Sequence, residues 1–178
     1  MKIAPDNTLF VMIDIQERFR PAIDAIDTVA RNAGILNRVA ERLEMPLLVT
    51  EQYPEGLGRT CDEIFVPAAA TRFEKKRFSI FEPPIHDWLV RQERDWLVLY
   101  GIETHVCVLQ SALEAIQRGW RVQVVADAVG SRTTANRDRA LDRLAHAGVV
   151  VSTTEMALFE LLDNADHPAF RALSKLIK

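Results

Sequence analysis

The stretch Asp95-Trp96-Leu97-Val98-Leu99-Tyr100-Gly101-Ile102-Glu103-Thr104-His105-Val106-Cys107-Val108 decides the fold. After Asp95 the run 96–100 is continuously apolar, the pattern of a strand covered on both faces. Gly101 punctuates its end. Beyond it Val106, Leu109, Leu113 and Ile116 recur at helical spacing, and Gly119 supplies a natural stop. Thr104 is the expected N-cap, which sets Cys107 in the first helical turn. There the unpaired N–H groups and the positive end of the helix dipole favour a thiolate over a thiol. Cys107, Gln110, Ser111 and Glu114 fall off the apolar stripe, so a reactive thiol competes on even terms with a buried, inert one.

Outward from this unit, apolar runs at 8–13, 46–50, 72–76, 122–126 and 149–152 alternate with amphipathic segments at 22–44, 84–92, 105–118, 135–146, 155–162 and 168–176. That order predicts a three-layer α/β/α, Rossmann-like fold: a mostly parallel sheet of about six strands flanked by helices. The 178 residues, 48% hydrophobic, are read as one domain over 1–178. The segment 53–67, with Gly56 and Gly58, is the longest connection without periodicity and a candidate lid or pocket loop.

Composition narrows the function classes. A net charge of −3 from interspersed acids and bases argues against a nucleic-acid surface. Arg132, Arg137, Arg139 and Arg143 alternate with Asp138 and Asp142 and read as a solvated helix face. No apolar stretch reaches the length of a membrane span and the first residues lack a signal-peptide core, so a cytoplasmic protein with no membrane partner is expected. Two cysteines give no disulfide framework, and Cys61 reads as a bystander in a loop. His86, His105, His146 and His167 show no metal-ligand spacing, and His105 stands two residues from Cys107, where helical side chains do not face each other. No phosphate loop or dinucleotide fingerprint is present.

In a parallel sheet of this kind ligands bind beyond the carboxyl ends of the strands. Three reactive groups fall there: Asp14 after the first strand, Lys75 in the third and Cys107 after the fourth. Singly, Asp14 can be a solvated cap and Lys75, within Glu74-Lys75-Lys76-Arg77, a solvated charge. Together they supply a proton acceptor, a cation and a nucleophile.

The segments Asp14-Ile15-Gln16-Glu17-Arg18-Phe19, Thr50-Glu51-Gln52-Tyr53-Pro54-Glu55-Gly56-Leu57-Gly58, Lys75-Lys76-Arg77-Phe78-Ser79, Gly101 to Val108 and Asp127-Ala128-Val129-Gly130-Ser131-Arg132, in this order, resemble the isochorismatase-like cysteine hydrolases, the superfamily that includes nicotinamidases. The resemblance spans residues 8–161 and is strongest to the isochorismatase-domain-containing branch. It implies a catalytic triad of Asp14, Lys75 and Cys107, a cis peptide at Ile102-Glu103, and an oxyanion hole from the backbone N–H groups of Glu103 and Cys107. It also implies a homo-oligomer, dimer or tetramer. Phe19, Gln52, Tyr53, Leu57, Phe81, Thr104 and His105 adjoin these motifs and are the expected substrate-pocket walls.

Nicotinamidases carry an Asp-x-His metal motif near the second strand, where this chain has Glu51-Gln52-Tyr53. No bound metal and no other cofactor is therefore expected. Isochorismatase cleaves an enol ether, for which a thiol has no obvious use, so Cys107 favours hydrolysis of a small amide or related C–N acyl substrate through a thioester. Isochorismatase-type or nicotinamidase activity, and a catalytically silent binding protein on the same fold, are the alternatives. The thiol pKa separates a hydrolase from the silent protein: the former is expected to show a depressed value at Cys107.

Overall fold

A computed structural model of the chain describes residues 2–177. Six strands form one sheet: β1 Thr8–Ile13, β2 Leu47–Gln52, β3 Thr71–Lys75, β4 Trp96–Ile102, β5 Arg121–Gly130 and β6 Val150–Ser152. The order is β3-β2-β1-β4-β5-β6 with every pair parallel. The helices are α1 Ile26–Arg42, α2 Pro54–Leu57, α3 Pro83–Arg91, α4 Leu109–Gln117, α5 Thr134–His146, α6 Thr154–Leu162 and α7 Phe170–Leu173. β1 and β4 are buried along their whole length, which is why both read as unbroken apolar runs. The chain winds away from β1 toward β3 and then returns beside β1 to build β4, β5 and β6. The order therefore reverses between β1 and β4, the position beyond whose strand ends sheets of this kind bind ligands. No helix among the described residues is long and apolar enough to cross a membrane.

Several boundaries differ from those expected. The first helix begins at Ile26 and not near residue 22. A 3-10 turn, Glu17–Ala22, contains Pro21, and Ala25 adopts the left-handed region at φ 55°, so the chain reorients before α1 starts. β5 runs on to Gly130 because a register shift opposite Leu99 and Gly101 absorbs extra residues. The last helix expected splits into α7 and a 3-10 turn, Ser174–Ile177. The loop after β2 is not structureless: it contains α2, and Thr60 bridges back to Gln16.

Gly101 shows why a glycine interrupts the deciding stretch. Its φ is 124°, and a Cβ there would collide with the carbonyl oxygen of Ile13 and lie 2.8 Å from the Ile13 nitrogen. β4 thus packs backbone to backbone against the residue that precedes Asp14. Gly101→Ala must displace one strand or the other and is expected to cost about 3 kcal/mol or more from overpacking and unfavourable φ together. Urea denaturation of the purified variant measures this, and an unchanged midpoint would contradict the close approach.

Candidate active site

Asp14 sits just past β1 with φ 52°, a left-handed conformation, and its side chain meets Thr50 and Lys75 beyond the strand end. It is fully buried. Thr50 Oγ1 at the end of β2 donates to Oδ1 at 2.8 Å, and Lys75 Nζ donates to Oδ2 at 2.6 Å. Lys75 is the last residue of β3 and its side chain is fully buried as well. Its ammonium also donates to Gln52 Oε1 at 2.7 Å, to the Phe78 carbonyl at 3.1 Å and to the Arg77 carbonyl at 3.2 Å. Four acceptors around one ammonium satisfy its three protons and hold it in place. A buried charge surrounded in this way tolerates desolvation that would otherwise be prohibitive.

Cys107 is 6% exposed and faces this pair. It lies in a π-helical turn, Thr104–Val108, entered through the cis Ile102-Glu103 peptide and continued by α4. Thr104 is not the side-chain cap expected: its hydroxyl donates to the Gly130 carbonyl at 2.9 Å and ties the turn to β5, while Glu103 occupies the cap position. The Glu103 carboxylate, buried, is held by Arg132 through its backbone N–H and its guanidinium.

Burial is the main influence on both titrating groups. It raises the Asp14 carboxyl above the usual aspartate value, and the Lys75 charge with hydrogen bonds from Lys75, Thr50 and Cys107 only partly opposes it. It pushes the Cys107 thiol up to about 12, reinforced by the negative charge of Asp14. The Lys75 ammonium and a hydrogen bond from the Glu103 backbone N–H pull the other way. The depressed thiol pKa expected of a hydrolase from the helix position is thus overturned, and the resting thiol pKa does not separate a hydrolase from a silent protein on this fold. Desolvation and the adjacent carboxylate outweigh the terminal dipole, and the resting sulfur is protonated.

The expected pocket residues disperse. Gln52 grips Lys75 with its carbonyl and the Lys76 carbonyl with its amide, so it supports the cation. Phe81 is buried and packs on Trp120 at 5.4 Å. Thr104 is buried in its bond to Gly130, and His105 Nδ1 contacts Ser131 Oγ at 3.0 Å. Phe19 and Leu57 are half-buried, Phe19 against the core. Tyr53, 49% exposed, lines a groove of about 300 Å³ with Pro54, Glu55, Glu74, Lys75, Lys76 and Glu82. That groove runs outside β3 and includes neither Asp14 nor Cys107.

Gln16, whose role the sequence did not disclose, is fully buried. Its amide donates to the carbonyls of Gln52 and Gly58 while its oxygen accepts from the Gln52 N–H at 2.8 Å, pinning both ends of the turn that carries α2. Only its place two residues after Asp14 hinted at this. Glu51, at the position of the nicotinamidase metal motif, accepts from the N–H and hydroxyl of Thr60, both at 2.8 Å. Glu17, Cys61 and Glu63 form a group of metal-donor type among the described residues. The Arg20 guanidinium bonds both glutamates and interacts with the thiol, so an internal cation already occupies it.

The Isochorismatase domain profile matches residues 8–156. The chain is similar to Isochorismatase domain-containing protein 1 of Danio rerio, 39% identical across 99% of this chain and 62% of the relative, so it spans under two thirds of that protein. It is 36% identical to the secreted isochorismatase effector Isc1 of Phytophthora sojae, across 99% of this chain and 85% of the relative. A solved structure titled MAR1 ribonuclease, from Caenorhabditis elegans, superposes with a TM-score of 0.94 at 36% identity, covering 99% of this chain and 92% of the other.

Proposed function

Because the chain belongs to the isochorismatase family, whose members are hydrolases, we propose that it is a cysteine-dependent hydrolase of a small amide or related C–N acyl substrate. The observation that carries this is the fully buried Asp14–Lys75 pair, 2.6 Å apart, set against the Cys107 thiol. A thiol pushed to about 12 cannot act as a pre-formed thiolate near neutral pH, so its proton must leave as the sulfur attacks. Asp14 is the acceptor at hand, and its raised pKa brings it closer to the range of an effective general base.

In the first half-reaction the Cys107 sulfur bonds to the carbonyl carbon and its proton passes to Asp14. The backbone N–H groups of Glu103 and Cys107 receive the oxyanion; one such donor is typically worth about 3 kcal/mol. The C–N bond breaks, Asp14 protonates the departing nitrogen, and a thioester remains. Water then attacks the thioester, giving its proton to Asp14, and the acid leaves as the thiol re-forms. Lys75 stays charged throughout and stabilises the ionised Asp14 between proton transfers. Gln52 and the two loop carbonyls keep it there. No step uses a metal or another cofactor. Assembly into a homo-oligomer belongs to the same proposal.

The worm protein is named as a ribonuclease. The cation at this chain's site, Lys75, is buried and committed to Asp14, and so favours a small acyl substrate over a phosphodiester as the target of Cys107. One relative is named as secreted, so family membership does not assign a compartment, and a cytoplasmic location stays part of the proposal. Ammonia release from a panel of small amides and ureido acids tests the function. Wild type is expected to turn over at least one, and Cys107→Ala to lose that turnover entirely. A Cys107→Ala protein as active as wild type would remove the assignment.

A further inference from the structure

Ser111 is fully buried one turn beyond Cys107 on α4. Its hydroxyl donates to the Cys107 carbonyl at 2.6 Å and accepts from the Ile80 N–H at 3.1 Å. The first bond is ordinary for a helical serine, whose hydroxyl often returns to the carbonyl four residues back. The second reaches a different element, the loop after β3, and that loop holds Lys75. Phe78, two residues before Ile80, and Arg77 present the carbonyls that accept from the Lys75 ammonium. A further contact fastens the same loop to α4. Arg77 reaches Glu114 at 3.2 Å, and within the loop it donates to the Phe81 carbonyl at 2.5 Å while Ser79, buried, accepts from the Phe81 N–H at 3.2 Å.

We propose that Ser111 is a positioning residue: it joins the turn carrying Cys107 to the loop whose carbonyls hold Lys75, and so fixes the distance between thiol and ammonium. This rests on Cys107 being the nucleophile. Removing the hydroxyl takes away the acceptor of the buried Ile80 N–H, and the loop relaxes away from α4. Lys75 then follows its two carbonyl acceptors, and its attraction for the developing thiolate weakens. A displacement of about 1 Å at an effective dielectric of about 20 reduces the thiolate population about three- to tenfold.

The test is alkylation of the full chain by iodoacetamide between about pH 7 and 10, mapped by peptide, with buried Cys61 as an internal reference. Ser111→Ala is expected to slow Cys107 about three- to tenfold at fixed pH and shift its profile alkaline, with Cys61 unchanged; Ser111→Thr, keeping the hydroxyl, restores the profile. If Ser111→Ala does not fold, Glu114→Ala opens the other end of the clasp. Loss of a negative charge alone would speed Cys107, so slowing there supports the clasp. An unchanged Cys107 profile, or both cysteines accelerating together as in general loosening, overturns the proposal. Asp14→Asn run alongside separates the premise: if it leaves the Cys107 profile where it was, the thiol is not coupled to the site at all, and the failure lies with the nucleophile and not with Ser111.

Discussion

Asp14→Asn is expected to slow turnover about 10²- to 10⁴-fold while making Cys107 more reactive toward an alkylating agent. The two effects part because Asp14 serves the reaction and burdens the resting thiol. As proton acceptor it is needed for attack, for protonation of the leaving nitrogen and for activation of water. As a negative charge beside the sulfur it raises the thiol above the level that burial alone sets. Asparagine keeps the shape and removes the charge, so the thiol pKa falls toward neutral pH. Each unit of that fall raises the thiolate fraction about tenfold. Cys107 alkylation at about pH 8 and ammonia release, measured on one preparation, check both halves. Slower alkylation in the asparagine variant would contradict the assigned electrostatics.

Lys75→Met is expected to abolish turnover and to steepen the loss of stability with rising pH that the raised Asp14 carboxyl already gives the wild type. It leaves Asp14 fully buried with Thr50 as its remaining side-chain donor apart from the thiol. An uncompensated buried carboxylate costs about 3–5 kcal/mol when ionised, so its pKa rises further and the group stays protonated where it can. The sign follows from linkage. A carboxyl raised in the folded state contributes stability that is fully present below its unfolded value, about 4, and lost as pH rises through the folded value. The variant should therefore lie close to wild type in mild acid and fall progressively further behind as pH rises above that unfolded value. Urea midpoints at about pH 5 and pH 8 read this directly. An equal deficit at both would mean that methionine disturbs packing and not charge.

The parallel α/β/α class was accessible from periodicity because strands buried on both faces are written as unbroken apolar runs, and β1 and β4 are both of that kind. That Asp14, Lys75 and Cys107 would come together was legible for a related reason: in a parallel sheet the carboxyl ends of the strands lie side by side, and these residues follow β1, end β3 and follow β4. Features that depend on three-dimensional neighbours stayed hidden. Gln16 and Ser111 are polar residues at unremarkable positions, and only the folded chain shows that each joins two segments. The thiol pKa was misjudged because sequence displays the helix turn but not the burial or the carboxylate opposite. Thr104 was misassigned as a cap because its actual acceptor, the Gly130 carbonyl, is 26 residues away in the chain. Phe81 adjoins the lysine motif, yet its ring turns toward Trp120 and His86.

The most direct test of Cys107 as nucleophile is acid-quench mass spectrometry during turnover of whichever amide or ureido acid the activity panel yields. The expected result is an acyl group in thioester linkage on the peptide containing Cys107. It should form and decay with the kinetics of the reaction and be absent from Cys107→Ala. Sustained turnover with an unmodified Cys107 peptide, undiminished in Cys107→Ala, would contradict covalent catalysis at this thiol.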